Sequence, residues 1–385
     1  MQFEFATATR IIFGAGTLQE TRHFAPRMGS QVLVVVGRSE DRASLLFNIL
    51  KSEGLNPKAF SVPEEPTISL VQGGVAAARG ANCDLVIGFG GGSVIDAGKA
   101  IAALLTNPGD VLDYLEVIGK GQPLANPPIP YIAIPTTAGT GAEVTRNAVL
   151  ASPEHRVKVS LRSALMLPKL AIVDPSLTYS LPPEITASTG MDALTQCIEP
   201  FVSPFANPLT DSICREGIHR AARSLQVAFA HSDDAQARED MSLASLCGGL
   251  ALANAKLGAV HGFAGPFGGI YPRAPHGVVC GRLLPFVMEA NVNALCEREP
   301  GNPALARFEE VAQILTADPT ATAFEGVNWV YELSEVLKIP SLAKFGVRKA
   351  DFRSIVEKAA RASSMKGNPV KLEHNELTTI LEKAL

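Results

Sequence analysis

The chain has 385 residues, 46% hydrophobic and 19% charged, with 34 Lys plus Arg against 38 Asp plus Glu and a net charge of -4. Such a composition buries at least one sizeable core, points to two domains and excludes disorder as the main state. No basic block offers a footprint for a phosphate backbone, so no nucleic-acid partner is expected.

Residues 1–13 carry Glu4 and Arg10 and lack an apolar signal core followed by a small-residue cleavage site. Apolar runs such as 32–36 and 85–89 are far shorter than the ~20 residues of a membrane-spanning helix. The expectation is a soluble, cytoplasmic protein with no membrane partner. Six cysteines (Cys83, Cys197, Cys214, Cys247, Cys280, Cys296) form no CxxC pair and read as buried, reduced thiols.

In chain order, residues 32–36 are a β-branched run stopped by Gly37, and Leu45, Leu46, Ile49 and Leu50 then recur at helical spacing. Residues 85–89 give the next buried strand, followed by glycines and a helical pattern over 94–105. Residues 131–134 are a further strand closed by Pro135. Strands alternating with helices predict a mostly parallel sheet covered on both faces, an α/β dinucleotide-binding domain. After Asp174-Pro175 the character changes, and Leu181-Pro182-Pro183 reads as a hinge between domains at 1–181 and 182–385. In the second, Ile213, Ile218, Ala221, Ala222, Leu225 and Phe229 fall on one side of a helix. Residues 241–257 suit close helix packing, and 327–337, 352–360 and 376–385 are amphipathic, so this domain is expected to be all-helical.

The clearest local motif is Gly88-Phe89-Gly90-Gly91-Gly92-Ser93, between a strand and a helix that continues through Ile95, Asp96 and Lys99. Glycines allow the sharp turn, and the free N–H groups of the helix start face an anion with the macrodipole behind them. A Walker A loop would need Gly at Ser93 and Ser or Thr at Ala100. The dinucleotide fingerprint would need a third Gly or Ala at 93 and an acidic residue after the following strand. A ligand-free tight turn is the plain alternative, and three consecutive glycines plus Ser fit it less well than a phosphate site. The run Pro135-Thr136-Thr137-Ala138-Gly139-Thr140-Gly141 again follows a strand. Two such loops together suggest a dinucleotide, although either alone would also serve as a capped helix start.

His23, His155, His219, His231 and His374 read as solvated surface residues, whereas His261 and His276 are bracketed by small residues that permit close approach. A lone buried His is usually a satisfied core residue, so the argument rests on the pair with Asp192. Asp192 and Gln196 are four apart and share a helix face. One Asp and two His suit a divalent ion with an open position, while a neutral Gln amide is a poor ligand for a first-row transition metal.

These residues resemble the iron-containing (group III) alcohol dehydrogenase family over nearly the whole chain. The resemblance is carried by Phe13-Gly14-Ala15-Gly16, Gly90-Gly91-Gly92-Ser93 with Asp96 and Lys99, Pro135 to Gly141, Asp174-Pro175, Gly190-Met191-Asp192-Ala193, and the His261 to His276 region with Leu284-Pro285. It implies an N-terminal dinucleotide domain, a C-terminal helical domain and a catalytic cleft between them, with a divalent metal, usually iron or zinc, on one Asp and three His. Asp192, His261 and His276 match three of these positions. Gln196 stands where the family has its second ligand, Gly265 replaces a further His, and the 261–276 segment is one residue longer, so the chain reads as an atypical member with an altered ligand set. The family's ribose-contacting Asp is matched by Gly37, followed by Arg38 and Ser39, which favours NADP over NAD.

The leading reading is an NAD(P)-dependent oxidoreductase moving a hydride between cofactor and an alcohol, aldehyde or ketone. Its candidate catalytic residues are Asp192, His261 and His276, and its candidate metal ligands are Asp192, Gln196, His261 and His276. Candidate cofactor contacts are Gly37, Arg38, Ser39, Gly90, Gly91, Gly92, Ser93, Asp96, Thr136, Thr137, Thr140 and Lys158. The alternatives are a metal-independent carbonyl reductase resembling maleylacetate reductases, in which a His donates a hydrogen bond to the carbonyl, and a dehydroquinate-synthase-like lyase, for which Lys158, Arg162 and Arg273 offer few basic groups. A cofactor-binding protein without turnover is a third. Phe263, Phe267 and Tyr271 are weighed as pocket lining against core packing, and a homodimer is expected from the family.

Overall fold

The computed structural model describes residues 2–385. One unit comprises Ala6–Thr137 and Gly141–Thr178. Its strands are β1 (Ile11–Phe13), β2 (Gln31–Val36), β3 (Asn56–Ser61), β4 (Leu85–Gly90), β5 (Tyr131–Pro135), β6 (Asn147–Ser152), β7 (Val157–Arg162) and β8 (Leu170–Val173). Six form a sheet in the order β1-β8-β5-β4-β2-β3 with every described pairing parallel, and β6 and β7 make a separate antiparallel hairpin. Interleaved with them are α1 (Thr21–Phe24), α2 (Ser44–Ser52), α3 (Ile68–Gly80), α4 (Gly92–Thr106) and α5 (Val111–Tyr114).

The β-branched run of β2 explains the layering. Successive side chains point to opposite faces, so Leu33 and Val35 join the core that includes residues of α3 and α4, while Val32, Val34 and Val36 join the one that includes residues of α2. Both faces are covered, as a parallel sheet requires. β3 lies on one side of β2 and β4 on the other, so the sheet changes its direction of growth at β2. The turn after β1 is tied down by Asp174, whose carboxylate accepts the N–H groups of Gly16 (3.1 Å), Leu18 (3.0 Å) and Ser176 (3.0 Å). That bracing accounts for the glycines of the Phe13 to Gly16 motif, where Gly14 and Gly16 have φ of 140° and 80°.

The other unit takes in residues 2–5, Ala138–Thr140 and Tyr179–Leu385. It contains α6 (Pro183–Val202), α7 (Pro208–Ala230), α8 (Ala235–Ala255), α9 (Ala259–Ile270), α10 (His276–Arg298), α11 (Ala304–Thr316), α12 (Ala323–Val336), α13 (Phe352–Arg361) and α14 (His374–Ala384). Pro183 opens α6 where its missing N–H costs nothing. α10 is long and apolar enough to cross a membrane by composition, and it is instead largely buried as core. Gly277 and Gly281 let it lie against α6: a Cβ at Gly277 would collide with Ser188 O, and one at Gly281 would come 2.8 Å from Met191 Cβ. α8 and α9 meet at 98° across Lys256-Leu257-Gly258, with Lys256 at φ 63°.

Candidate active site

In the α/β unit, β4 ends at Gly90 and α4 begins at Gly92, so the glycine run is the strand-to-helix turn itself. A Cβ on Gly90 would come 2.6 Å from Val94 Cγ2, and one on Gly91 would meet Thr137 at 3.4 Å. Gly91 brings no side-chain cap, so the dipole and early amides of α4 suit an anion, with Ser93 in the first turn. β5 runs beside β4 with Gly90 opposite Pro135, and the Thr136 N–H donates to Gly90 O at 2.9 Å. Gly37, Arg38 and Ser39 follow β2, the other neighbour of β4. The three turns therefore share one edge of the sheet, at the point where strand order reverses. Open α/β sheets bind nucleotides there.

Other candidates in this unit are engaged elsewhere. Lys99 is buried, 3.1 Å from Asp96 Oδ1, and donates to Ala142 O and Thr145 Oγ1 at 2.9 Å and to Asn147 O. Asp96 Oδ2 accepts the Val149 N–H at 3.0 Å. The pair braces the hairpin rather than a free phosphate. Lys158 pairs with Glu65 at 3.0 Å, and Arg38 with Glu64 at 3.6 Å, the latter two being fully solvated. Burial pushes the carboxyl of Glu143 up to about 7, against the pull of Lys99.

In the helical unit, Asp192, Gln196 and Glu199 occupy one face of α6 at four- and three-residue steps, and all three are buried. α10 contributes His276 and Cys280, again four apart. His261 lies in the first turn of α9, just past the sharp bend, and not at the end of an apolar helix as its sequence context suggests. Its Nδ1 is 2.6 Å from Glu199 Oε2, and Glu199 Oε1 accepts the Val260 N–H at 2.7 Å. A carboxylate facing Nδ1 keeps a proton there and turns Nε2 toward Asp192 and Cys280; burial acts to lower the imidazole, but its anionic neighbours hold it well above its ordinary range, so an ion bound at Nε2 would displace a proton. Gly258 is required next to it, since a Cβ would come 2.9 Å from Glu199 Oε1. Asn368 Oδ1 accepts the Ala259 N–H at 3.1 Å, so two remote side chains cap α9.

Four donor atoms converge: Asp192 Oδ1 stands 3.3 Å from His261 Nε2 and 3.7 Å from His276 Nε2, and Cys280 Sγ stands 3.8 and 3.6 Å from the same nitrogens. All four lie within 4.8 Å of one another. Bonds of about 2.0–2.3 Å at tetrahedral angles would place nitrogen–oxygen pairs about 3.3–3.5 Å apart and nitrogen–sulfur pairs about 3.5–3.6 Å apart. Asp192 Oδ1 is buried with no hydrogen-bond partner, as is Gln196 Oε1. Burial acts to raise the Asp192 carboxyl, but the charges of His276 and His261 outweigh it and hold the group below its ordinary range. These residues fit a divalent ion.

Known proteins agree. The family pattern "Iron-containing alcohol dehydrogenase" matches residues 8–175, and "Fe-containing alcohol dehydrogenase family, C-terminal" matches residues 186–385. The chain belongs to the iron-containing alcohol dehydrogenase family. Alcohol dehydrogenase 4 of Saccharomyces cerevisiae (strain YJM789) is 35% identical over 381 residues, 97% of this chain and 96% of that protein. The 1,3-propanediol dehydrogenase of Klebsiella pneumoniae is 37% identical, covering 87% and 85%. A crystal structure of 1,3-propanediol oxidoreductase superposes with a TM-score of 0.92 at 32% identity over 100% of both chains. This iron-containing alcohol dehydrogenase is an oxidoreductase whose family uses NAD(P) and a divalent metal and acts on small alcohols and aldehydes.

Within this family member, the structure brings Asp192, His261, His276 and the base of Gln196 to one helical face set. It also adds two residues that sequence reasoning passed over. In the sequence Cys280 reads as one of the buried, reduced thiols, although its spacing from His276 is the helical i, i+4 step. Glu199 falls seven residues after Asp192 on the same face, the one signal available for it. Phe263 and Phe267 are buried in the helical core, and Tyr271 packs on Phe267 at 5.3 Å, so this trio belongs to the core. A Cβ on half-buried Gly265 would meet nothing within 4 Å.

Proposed function

We propose that the chain moves a hydride reversibly between NAD(P) and a small alcohol or carbonyl compound, with Asp192, His261 and His276 holding a divalent ion. The observation that carries this is the convergence of their donor atoms, with that of Cys280, to within 4.8 Å of one another around a buried Asp192 oxygen. Gln196 in place of the family's second His makes the ligand set an altered one. A bound ion would polarise the substrate oxygen as a Lewis acid, and the nicotinamide ring would exchange the hydride.

The chain's own residues do the rest. Glu199 holds His261 in the tautomer whose Nε2 can donate a lone pair. Gln196 donates from Nε2 to Gly139 O at 3.2 Å, which fixes its amide, and its unpartnered Oε1 offers an acceptor for a substrate hydroxyl or a water. Open space beside Gly265 leaves room for substrate bulk. Amides around Gly90, Gly91, Gly92 and Ser93, with Thr136 and Thr137, are assigned to the cofactor diphosphate, and Thr140 to the far end of the same loop. Asp96 supports this loop indirectly through Lys99, which donates to Ala142 O just beyond it, and Lys158 is assigned to the cofactor's outer edge in exchange for its pair with Glu65.

Gly37, Arg38 and Ser39 are assigned to the adenosine ribose. The solvated Arg38 to Glu64 pair is weak and exchangeable, so Arg38 is available to a 2'-phosphate and NADP is the preferred cofactor. Residues 1–181 form the cofactor half and 182–385 the metal and substrate half of a homodimer. A cytoplasmic setting, where its six free thiols stay reduced, completes the reading.

The test is nicotinamide absorbance with short-chain, aromatic and dicarboxylic alcohols and carbonyls, before and after chelation. Activity lost on chelation and restored by a divalent ion supports the proposal. Full activity in metal-free protein would overturn the ion's part and leave His261 and His276 as hydrogen-bond donors to the carbonyl oxygen. An NADP:NAD ratio of kcat/KM below one would overturn the cofactor assignment.

A further inference from the structure

The family's ligand pattern has a fourth side chain, and Gln196 occupies its place here. Yet the Gln196 amide is already oriented by its hydrogen bond to Gly139 O, and its neutral oxygen is a poor donor to a borderline metal. Cys280 is better placed by geometry. It lies one helical turn beyond His276, so both side chains leave α10 on one face, and the close approach of α10 to α6 at Gly277 and Gly281 carries that face up to Asp192. Its sulfur is buried, with the two imidazole nitrogens at 3.6 and 3.8 Å, close to the edge of a tetrahedron built on metal–nitrogen and metal–sulfur bonds.

We propose that Cys280 Sγ, not Gln196, is the fourth protein donor, so that this chain holds its divalent ion in an Asp192, His261, His276, Cys280 set suited to zinc. The inference rests on the metal-binding reading above. On binding, the thiol proton leaves to solvent and a sulfur electron pair forms the bond to the ion, with no change of oxidation state. A thiolate donor favours zinc over ferrous iron beyond the ordinary order of divalent affinities. Asp192, His261, His276 and Cys280 would hold the ion, which would act there as a Lewis acid toward the substrate oxygen.

The experiment replaces the native ion with cobalt(II) in the full-length protein and records the absorption spectrum alongside total metal content. Wild type is expected to bind one cobalt per chain and to show an intense near-ultraviolet sulfur-to-cobalt charge-transfer band. That band should vanish in Cys280→Ser and Cys280→Ala and persist in Gln196→Ala. Zinc affinity by chelator competition should fall at least tenfold in Cys280→Ser, and by less than threefold in Gln196→Ala. Cobalt bound with visible ligand-field bands but no charge-transfer band in wild type would overturn the thiolate assignment alone. Failure of wild type to take up cobalt or zinc at all would overturn the metal-binding reading with it. The wild-type spectrum decides the matter even if a Cys280 variant folds poorly.

Discussion

Replacing Glu199 with Gln changes one oxygen to an amide nitrogen and almost nothing in volume, yet the geometry around it admits no neutral solution. The carboxylate accepts two N–H groups, from His261 Nδ1 and from Val260, at 2.6 and 2.7 Å. An amide can accept only through its single oxygen. If that oxygen stays on Val260, the amide NH2 faces Nδ1, and His261 must move its proton to Nε2, which removes the lone pair needed for an ion. If the amide is flipped, His261 keeps its tautomer and the buried Val260 N–H loses its acceptor, at about 1–3 kcal/mol. Supports of this kind contribute about 10–100-fold to metal affinity, equivalent to about 1.4–2.7 kcal/mol. Glu199→Gln is therefore expected to bind zinc 10–100-fold more weakly by chelator competition. If the amide adopts the flipped form, the metal-free protein will instead melt several degrees lower. A variant that matches wild type within twofold in zinc affinity and also in Tm would refute the assignment of Glu199 as the positioning group.

Two further outcomes follow from packing and charge. Gly277→Ala drives a Cβ into Ser188 O, a backbone atom that cannot rotate away. It should cost about 1–3 kcal/mol of stability in denaturant unfolding, and an unchanged midpoint would show that α10 approaches α6 less closely than described. Glu143 has its carboxyl raised from 4.5 to about 7. Between those values the folded chain keeps a proton that the unfolded chain has released, so stability falls as pH rises through this window, by up to about 3 kcal/mol. Glu143→Gln should flatten the dependence of the urea midpoint between about pH 5 and 7.5, and profiles of equal slope would contradict the burial argument.

Much of the fold was legible because strong periodicity and punctuation coincide. The β-branched run before Gly37, the glycines after Phe89 and the Pro182-Pro183 pair each mark an element boundary found in the structure. The β6 to β7 hairpin was passed over, although Val157-Lys158-Val159-Ser160-Leu161-Arg162 alternates with period two. Its apolar residues Ala148, Leu150, Val159 and Leu161 are buried against α4, from which Lys99 and Asp96 also bond its backbone, a long-range contact that local pattern does not carry. At the site, Asp192, His261 and His276 could be found because a motif brackets each. Cys280 and Glu199 could not be ranked, since helical phase says which residues share a face but not which face meets another helix.

The crowding at Gly258 ties two distant codons together. A Cβ at 258 would come 2.9 Å from the Glu199 oxygen that receives Val260 and would press on the carboxylate that also faces His261, so substitution at either position is felt by the other. The bend between α8 and α9 thus places the His261 imidazole in the cluster with Asp192, His276 and Cys280 as much as it turns the chain.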